Sequence, residues 1–183
     1  ERKQHLPQLL SLLKRPTMIW LLLMVTLHGI TLTTYDNLFS LHAESLGFSS
    51  AVVGLGIALG VGIEIGVLAL GEKMLRHFNP ISLVLLGLAS GIPRWVITAY
   101  ATTALSLVAA QALHGVGFGA FWIGGVALFA RLAPEGFERS AQALLPTTTF
   151  GIGFVISMGM ATILLDYIDT KELFSLMAII SVF

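Results

Sequence analysis

The chain has 183 residues, no cysteine and a formal net charge of zero. Hydrophobic residues make up 56% and charged residues 11%, with a mean hydropathy of +0.89, whereas a soluble domain carries roughly 25% charged residues. A soluble globular domain is thereby excluded, because a soluble chain this short would expose much of its surface to water and would need more charged residues to cover it. The missing cysteines exclude disulfides, thiolate metal sites and a cysteine nucleophile. The neutral charge balance indicates no nucleic-acid partner.

Six apolar segments follow one another along the chain, and we expect them at 17–38, 49–71, 80–99, 103–130, 141–165 and 173–183. At 1.5 Å of rise per residue, about twenty residues cross the ~30 Å hydrocarbon core, so the first five are long enough to span it. The pattern predicts an all-α membrane protein with six transmembrane helices, the last one truncated. Residues 1–16 are predicted to form a cytoplasmic linker. Because the chain begins without Met and stops within an apolar run, we expect it to be a fragment.

The basic residues outside these segments alternate from one side to the other. Eight of the nine precede the first segment or follow the second and fourth, namely Arg2, Lys3, Lys14, Arg15, Lys73, Arg76, Arg131 and Arg139. Only Lys171 lies in one of the other three loops. Because Lys and Arg are enriched in cytoplasmic loops, this pattern predicts a cytoplasmic amino-terminal segment.

Glycines organise the predicted helix faces. Gly56 and Gly60 share one stripe of the second helix with Glu64, and two glycines of the third helix share a face with Arg94. Small residues at this spacing let helix backbones approach closely in lipid. We therefore expect Glu64 and Arg94 to lie on packed faces, although simple packing explains most of the glycines equally well.

Three adjacent helices each carry one titratable or charged side chain at membrane depth: Glu64, Arg94 and His114. A charge in the bilayer core costs at least ~2.5–3.5 kcal/mol, so such groups usually pair or border a wet cavity. We interpret the three as a charge network for proton coupling, in which a movement that makes or breaks a Glu64–Arg94 pair binds or releases a proton. The alternatives are a carboxyl bonded to the backbone, an arginine extending to the outer interface, and a packing histidine.

Two helix faces are candidates for a substrate cavity. The first helix places polar side chains at i, i+3 and i+7, with an aspartate beside the last of them, and the fourth places an amide and two aromatic rings in line with His114. These candidates are His28, Thr31, Tyr35, Asp36, Gln111, Phe118 and Trp122. For Thr31, the simpler alternative is a hydroxyl bonded to its own helix. No metal-ligand spacing or nucleotide-binding loop occurs in the sequence.

Several of these motifs are shared with a known family. They are Glu64, Arg94-Trp95, Gln111-Ala112-Leu113-His114, Tyr35-Asp36-Asn37-Leu38-Phe39, Leu46-Gly47-Phe48-Ser49, Arg131-Leu132-Ala133-Pro134 and Arg139-Ser140-Ala141-Gln142. Essentially the whole chain resembles the carboxyl-terminal half of a major facilitator superfamily transporter. The branch it resembles contains the lactose permease, phenylpropionate permease and nucleoside–proton symporters.

This resemblance implies helices seven to twelve of a twelve-helix carrier, with a 3+3 inverted repeat in the half. It also implies proton-coupled symport of a small organic solute by alternating access in a bacterial inner membrane. Protons would be the coupling ion, with no cofactor, and the missing amino-terminal half would be the partner. The chain departs from the branch at Trp122, where relatives have a second histidine, and at Gly117, where the lactose permease has a carboxylate. Glu64 is therefore the stronger candidate proton carrier.

The sequence also allows three other interpretations. A self-contained six-helix protein could act as a homodimeric half-transporter, and a structural membrane subunit would need no transport site at all. An intramembrane serine protease could use the serine of Ala89-Ser90-Gly91. In the rhomboid arrangement, however, the histidine base lies two helices after the serine. His114 lies on the very next helix, and no histidine follows it in the sequence. We therefore expect a transporter and not an enzyme.

Overall fold

The computed structural model describes residues 11–182, and every regular element in that range is helical. The helices are α1 (Pro16–Ser45), α2 (Ser50–Ala69), α3 (Gly71–His77), α4 (Pro80–Ala99), α5 (Ala104–Leu132), α6 (Glu138–Leu164) and α7 (Thr170–Ile180). Five of them, α1, α2, α4, α5 and α6, are long and apolar enough to cross a membrane. The protein is therefore an integral, multi-pass membrane protein, as the composition predicts.

The helix starts follow local sequence signals. Prolines occupy the first turns of α1 and α4. A backbone N–H at this position has no partner within the helix, so proline costs no hydrogen bond there. Thr103 forms a capping box with Ser106 at the start of α5, and Asp169 forms one with Glu172 at the start of α7. These caps satisfy N–H groups at helix ends that would otherwise be unpaired. Most of the predicted linker, residues 1–10, lies outside the described residues.

The largest difference from the predicted segments is the length of α1, which ends at Ser45 and not at residue 38. Asp36 and Asn37 are exposed, and their polarity suggested a helix end. The helix continues beyond them because Phe39, His42 and Ala43 are buried against its neighbours. Tertiary packing has overridden the local polar signal here.

The fifth span also departs from a regular α-helix. Pro146 lies within α6, and the residues after it, Thr147–Gly153, form a π-helical stretch before the α-helix resumes at Phe154. A proline removes one backbone donor from the helix interior, and π-helical turns are common where the regular hydrogen-bond ladder is interrupted. The interruption at Pro146 therefore takes the form of a wider helical turn.

Helix packing repeats across the two halves of the chain. α1 crosses α6, α5 crosses α2, and α4 packs on α7. If α1, α2 and α4 are exchanged in that order with α5, α6 and α7, the α1–α6 pair becomes the α5–α2 pair. In both pairs glycine meets glycine: Gly153 lies against the Gly29 backbone, and Gly115 against the Gly60 carbonyl. This is the pairing expected of a 3+3 inverted repeat, and the bundle fits one six-helix half of a major facilitator fold.

Candidate functional site

Arg94 lies in the middle of the bundle and is 4% exposed. Its Nη2 donates a hydrogen bond to Oε1 of Gln111 at 3.3 Å. The guanidinium carbon is 4.1 Å from the ring centroid of Tyr35 and 4.1 Å from that of Trp95. Cation–π contacts of this kind stabilise a cation that has lost its water. Arg94 therefore does not extend to the outer interface, the alternative that the sequence left open.

Glu64 contacts His114, its neighbour across the α2–α5 interface. The Oε2 of Glu64 is 3.7 Å from Nε2 of His114, and their side chains are 21% and 9% exposed. The expected Glu64–Arg94 contact is absent from the ion pairs of residues 11–182. In this conformation the carboxyl faces an imidazole, and the guanidinium interacts with Tyr35, Trp95 and Gln111.

An open pocket of about 170 Å³ lies beside this pair. Its walls come from α1, α2 and α5, and they carry an acid, two hydroxyls, an imidazole and apolar side chains. The lining residues are Tyr35, Asp36, Phe39, Ser40, Ile57, Val61 and His114. His114 thus borders the pocket while its Nε2 faces Glu64, so one side chain connects the pocket with the Glu64 carboxyl.

A row of aromatic rings continues from this pocket along α5. The ring of His114 is 5.3 Å from Tyr35 and 5.7 Å from Phe118 between centroids. Phe118 stacks on Trp122 at 5.4 Å with an interplanar angle of 14°, and Trp122 approaches Phe150 of α6 at 5.9 Å. Aromatic faces in this arrangement can pack against a ring-containing molecule.

The other two candidates on α1 behave differently from each other. His28 packs its ring on Phe121, with centroids 3.9 Å apart, and borders a small inner pocket together with Arg94 and His114. The hydroxyl of Thr31 donates to the His28 carbonyl at 2.9 Å, so it is occupied within its own helix. The structure therefore places His28 beside the charge network and leaves Thr31 without a bond across helices.

Two features of the bundle were not predicted from the sequence. The tripeptide Leu-His-Gly occurs at 27–29 and again at 113–115, in α1 and α5, which are equivalent helices of the inverted repeat. An internal comparison of the two halves finds it directly. The second feature is a fully buried histidine, His42, which joins three helices at the far end of α1 and carries no sequence signal that marks it as buried.

Within the described part of the chain, no cluster of three His, Asp or Glu side chains could hold a metal ion. No solved structure matches this chain. A family model described as the MFS_1 like family matches residues 2–176. The match covers nearly all of the chain, including every helix that forms the site. With its all-helical bundle and its multi-pass character, the chain belongs to the MFS_1 like family, a transporter family of the major facilitator type.

Proposed function

We propose that this chain is the carboxyl-terminal half of a secondary transporter that couples protons to the movement of a small organic solute. The observation that carries the proposal is the position of His114, which contacts Glu64 and also borders the open pocket. A solute in that pocket would touch the same imidazole that faces the proton-binding carboxyl. Binding of the two could thereby depend on each other.

The proton step would belong to Glu64. Its side chain is partly exposed and lies within a span, where a protonated, neutral carboxyl costs much less than a carboxylate. Release of the proton would require a cation nearby, and two residues can provide it. Protonated His114 is in contact in this conformation, and Arg94 would come into contact if α2 and α4 shifted relative to each other. Such a shift fits alternating access, in which proton and solute favour different states of the bundle.

The pocket and the aromatic row suggest the chemical class of the solute. Asp36, Ser40 and Tyr35 offer hydrogen-bonding groups, and the Phe118–Trp122 stack offers flat apolar faces. This combination suits a small ring-containing molecule with a few polar substituents, such as an aromatic acid, a nucleoside or a sugar. We further propose a bacterial inner-membrane location, which the family resemblance implies. The basic loops support a cytoplasmic amino-terminal segment.

The test is proton movement driven by solute. Cells expressing the intact transporter are suspended in weakly buffered medium, and the external pH is recorded as members of a solute panel are added. We expect the medium to become alkaline with at least one solute, and Glu64→Gln to reduce the initial rate at least tenfold. Solute exchange across the membrane, which needs no net proton movement, should persist in the variant.

The matched control is Glu72→Gln, the same substitution on the exposed face of α3, and it should leave the alkalinisation unchanged. Alkalinisation that survives Glu64→Gln would remove Glu64 from the proton step. Uptake of a solute with no pH change at all would contradict proton symport and leave facilitated diffusion or coupling to another ion. If no solute moves or binds, the structural-subunit alternative is favoured.

A further inference from the structure

A second, smaller pocket lies deeper in the bundle, between α1, α4 and α5. It has room for about one water-sized sphere. Its polar lining consists of His28, Ser90, Arg94, Trp95 and His114, and the lining contains no carboxylate. The hydroxyl of Ser90 is already bonded to the Gly87 carbonyl at 2.7 Å. The pocket therefore presents mainly nitrogen groups to whatever occupies it.

Three of these nitrogen groups are unpartnered. In the described residues, five buried side-chain polar atoms have no hydrogen-bond partner, and three of them belong to this lining: His28 Nε2, Arg94 Nε and Trp95 Nε1. Arg94 and Trp95 are 4% and 2% exposed, so bulk water does not reach them. The Arg Nε–H and the Trp Nε1–H can only donate. The occupant must therefore accept at least two hydrogen bonds.

Charge points to the nature of this occupant. Arg94 is a buried cation, yet the ion pair found within residues 11–182 joins Glu64 to His114. Asp36 interacts with Arg94 electrostatically, but it is exposed and forms no ion pair with it. A buried charge requires an opposite charge or full hydrogen bonding. A water molecule would satisfy the donors alone, whereas an anion would satisfy the donors and the charge together.

We propose that this pocket binds a compact monovalent anion of halide type, which accepts hydrogen bonds from Arg94 Nε and Trp95 Nε1. His28, in the tautomer that carries its proton on Nε2, supplies a third donor from the opposite helix. The single-sphere size of the pocket excludes a bulky organic anion. The site joins α1 to α4 and supplies Arg94 with a counter-ion. It goes beyond the transport function proposed above and does not depend on it.

Thermal unfolding of the purified transporter in nanodiscs tests the site. Sodium chloride is titrated against sodium gluconate at constant ionic strength, so that general salt effects cancel. A ligand that binds only the folded state raises the midpoint in a saturable way, and we expect this for chloride. Arg94→Gln should abolish the rise, and Trp95→Phe should weaken the apparent chloride affinity at least threefold, because it removes the N–H while keeping an aromatic ring.

The matched control is Trp20→Phe. Trp20 lies near the start of α1 and is 65% exposed, so this variant should leave the titration unchanged. If Arg94→Gln does not fold, the two tryptophan variants still decide the question. Equal midpoints in chloride and gluconate would show that the pocket holds only water, which overturns the proposal. A rise with acetate but not with chloride would assign the donors to a carboxylate and would overturn it too.

Discussion

His42 shows how one side chain can join three helices. It is fully buried, its Nε2 donates to the Thr98 carbonyl of α4 at 2.9 Å, and its Nδ1 accepts from the Thr170 hydroxyl of α7 at 2.9 Å. Because a carbonyl can only accept, the proton must be on Nε2, which fixes the tautomer. The ring also packs on Phe174, with centroids 4.6 Å apart. Every polar atom of the imidazole is thus used by a different element.

We predict that His42→Leu lowers the free energy of unfolding by about 1–3 kcal/mol, because the Thr98 carbonyl and the Thr170 hydroxyl each lose a buried hydrogen bond. Equilibrium unfolding in mixed micelles would measure the loss. His77→Leu is the matched control, since His77 is exposed and its ring bonds only to the Lys73 carbonyl of the same helix. Equal stability of the two variants would mean that the His42 contacts contribute nothing net.

At the scale of the element, the α2–α5 crossing depends on the absence of side chains at glycine. A Cβ added to Gly115 would lie 2.5 Å from the Gly60 carbonyl oxygen and 2.6 Å from the Cβ of Ile63. Both neighbours belong to α2. One is a backbone oxygen and the other is a Cβ, whose position the backbone fixes, so neither can move away by a side-chain rotation. The helices would have to separate, and the Glu64–His114 contact lies at the same interface.

We therefore predict that Gly115→Ala destabilises the protein by roughly 1–3 kcal/mol, the usual cost of overpacking, and slows solute uptake. Gly62→Ala, on the outer face of α2, is the control because a Cβ there meets no atom within 4 Å. It should keep full stability or gain slightly, since alanine is the better helix former. Denaturation midpoints of the two variants decide the question, and a Gly115→Ala protein as stable as the Gly62→Ala protein would contradict the packing explanation.

Much of the fold could be predicted from the sequence, but only part of the site could, because the two depend on different physical information. Uncharged runs and basic loops reveal the spans because the bilayer penalises charge wherever it occurs. The stripe of Gly56, Gly60 and Glu64 likewise indicates which face of α2 is packed. The partner of each polar group depends on the third dimension. Glu64 meets His114 and Arg94 meets Gln111 because of how α2, α4 and α5 cross, and no spacing along one helix contains that information.

At the scale of the whole molecule, the inverted repeat sets the position of the loops. With α1 equivalent to α5 and α2 to α6, successive loops must alternate between the two sides of the membrane. The α2–α4 connection, which contains α3, and the α5–α6 connection then share a side, as do the α4–α5 and α6–α7 connections. The basic residues follow the same division, with Lys73 and Arg131 on the first side and Lys171 on the second.

Single cysteines can test this topology, because the chain has no cysteine of its own. We predict that Asp166→Cys and Thr102→Cys react with a membrane-impermeant maleimide in intact cells. Lys73→Cys and Glu135→Cys should react only after the membrane is permeabilised. All four positions are exposed, so burial does not limit labelling, and full reaction of each protein in detergent is the control. Labelling of Lys73→Cys in intact cells would show that the orientation is the reverse of the one predicted. Reaction of two successive loops from the same side would contradict the alternation that the repeat requires.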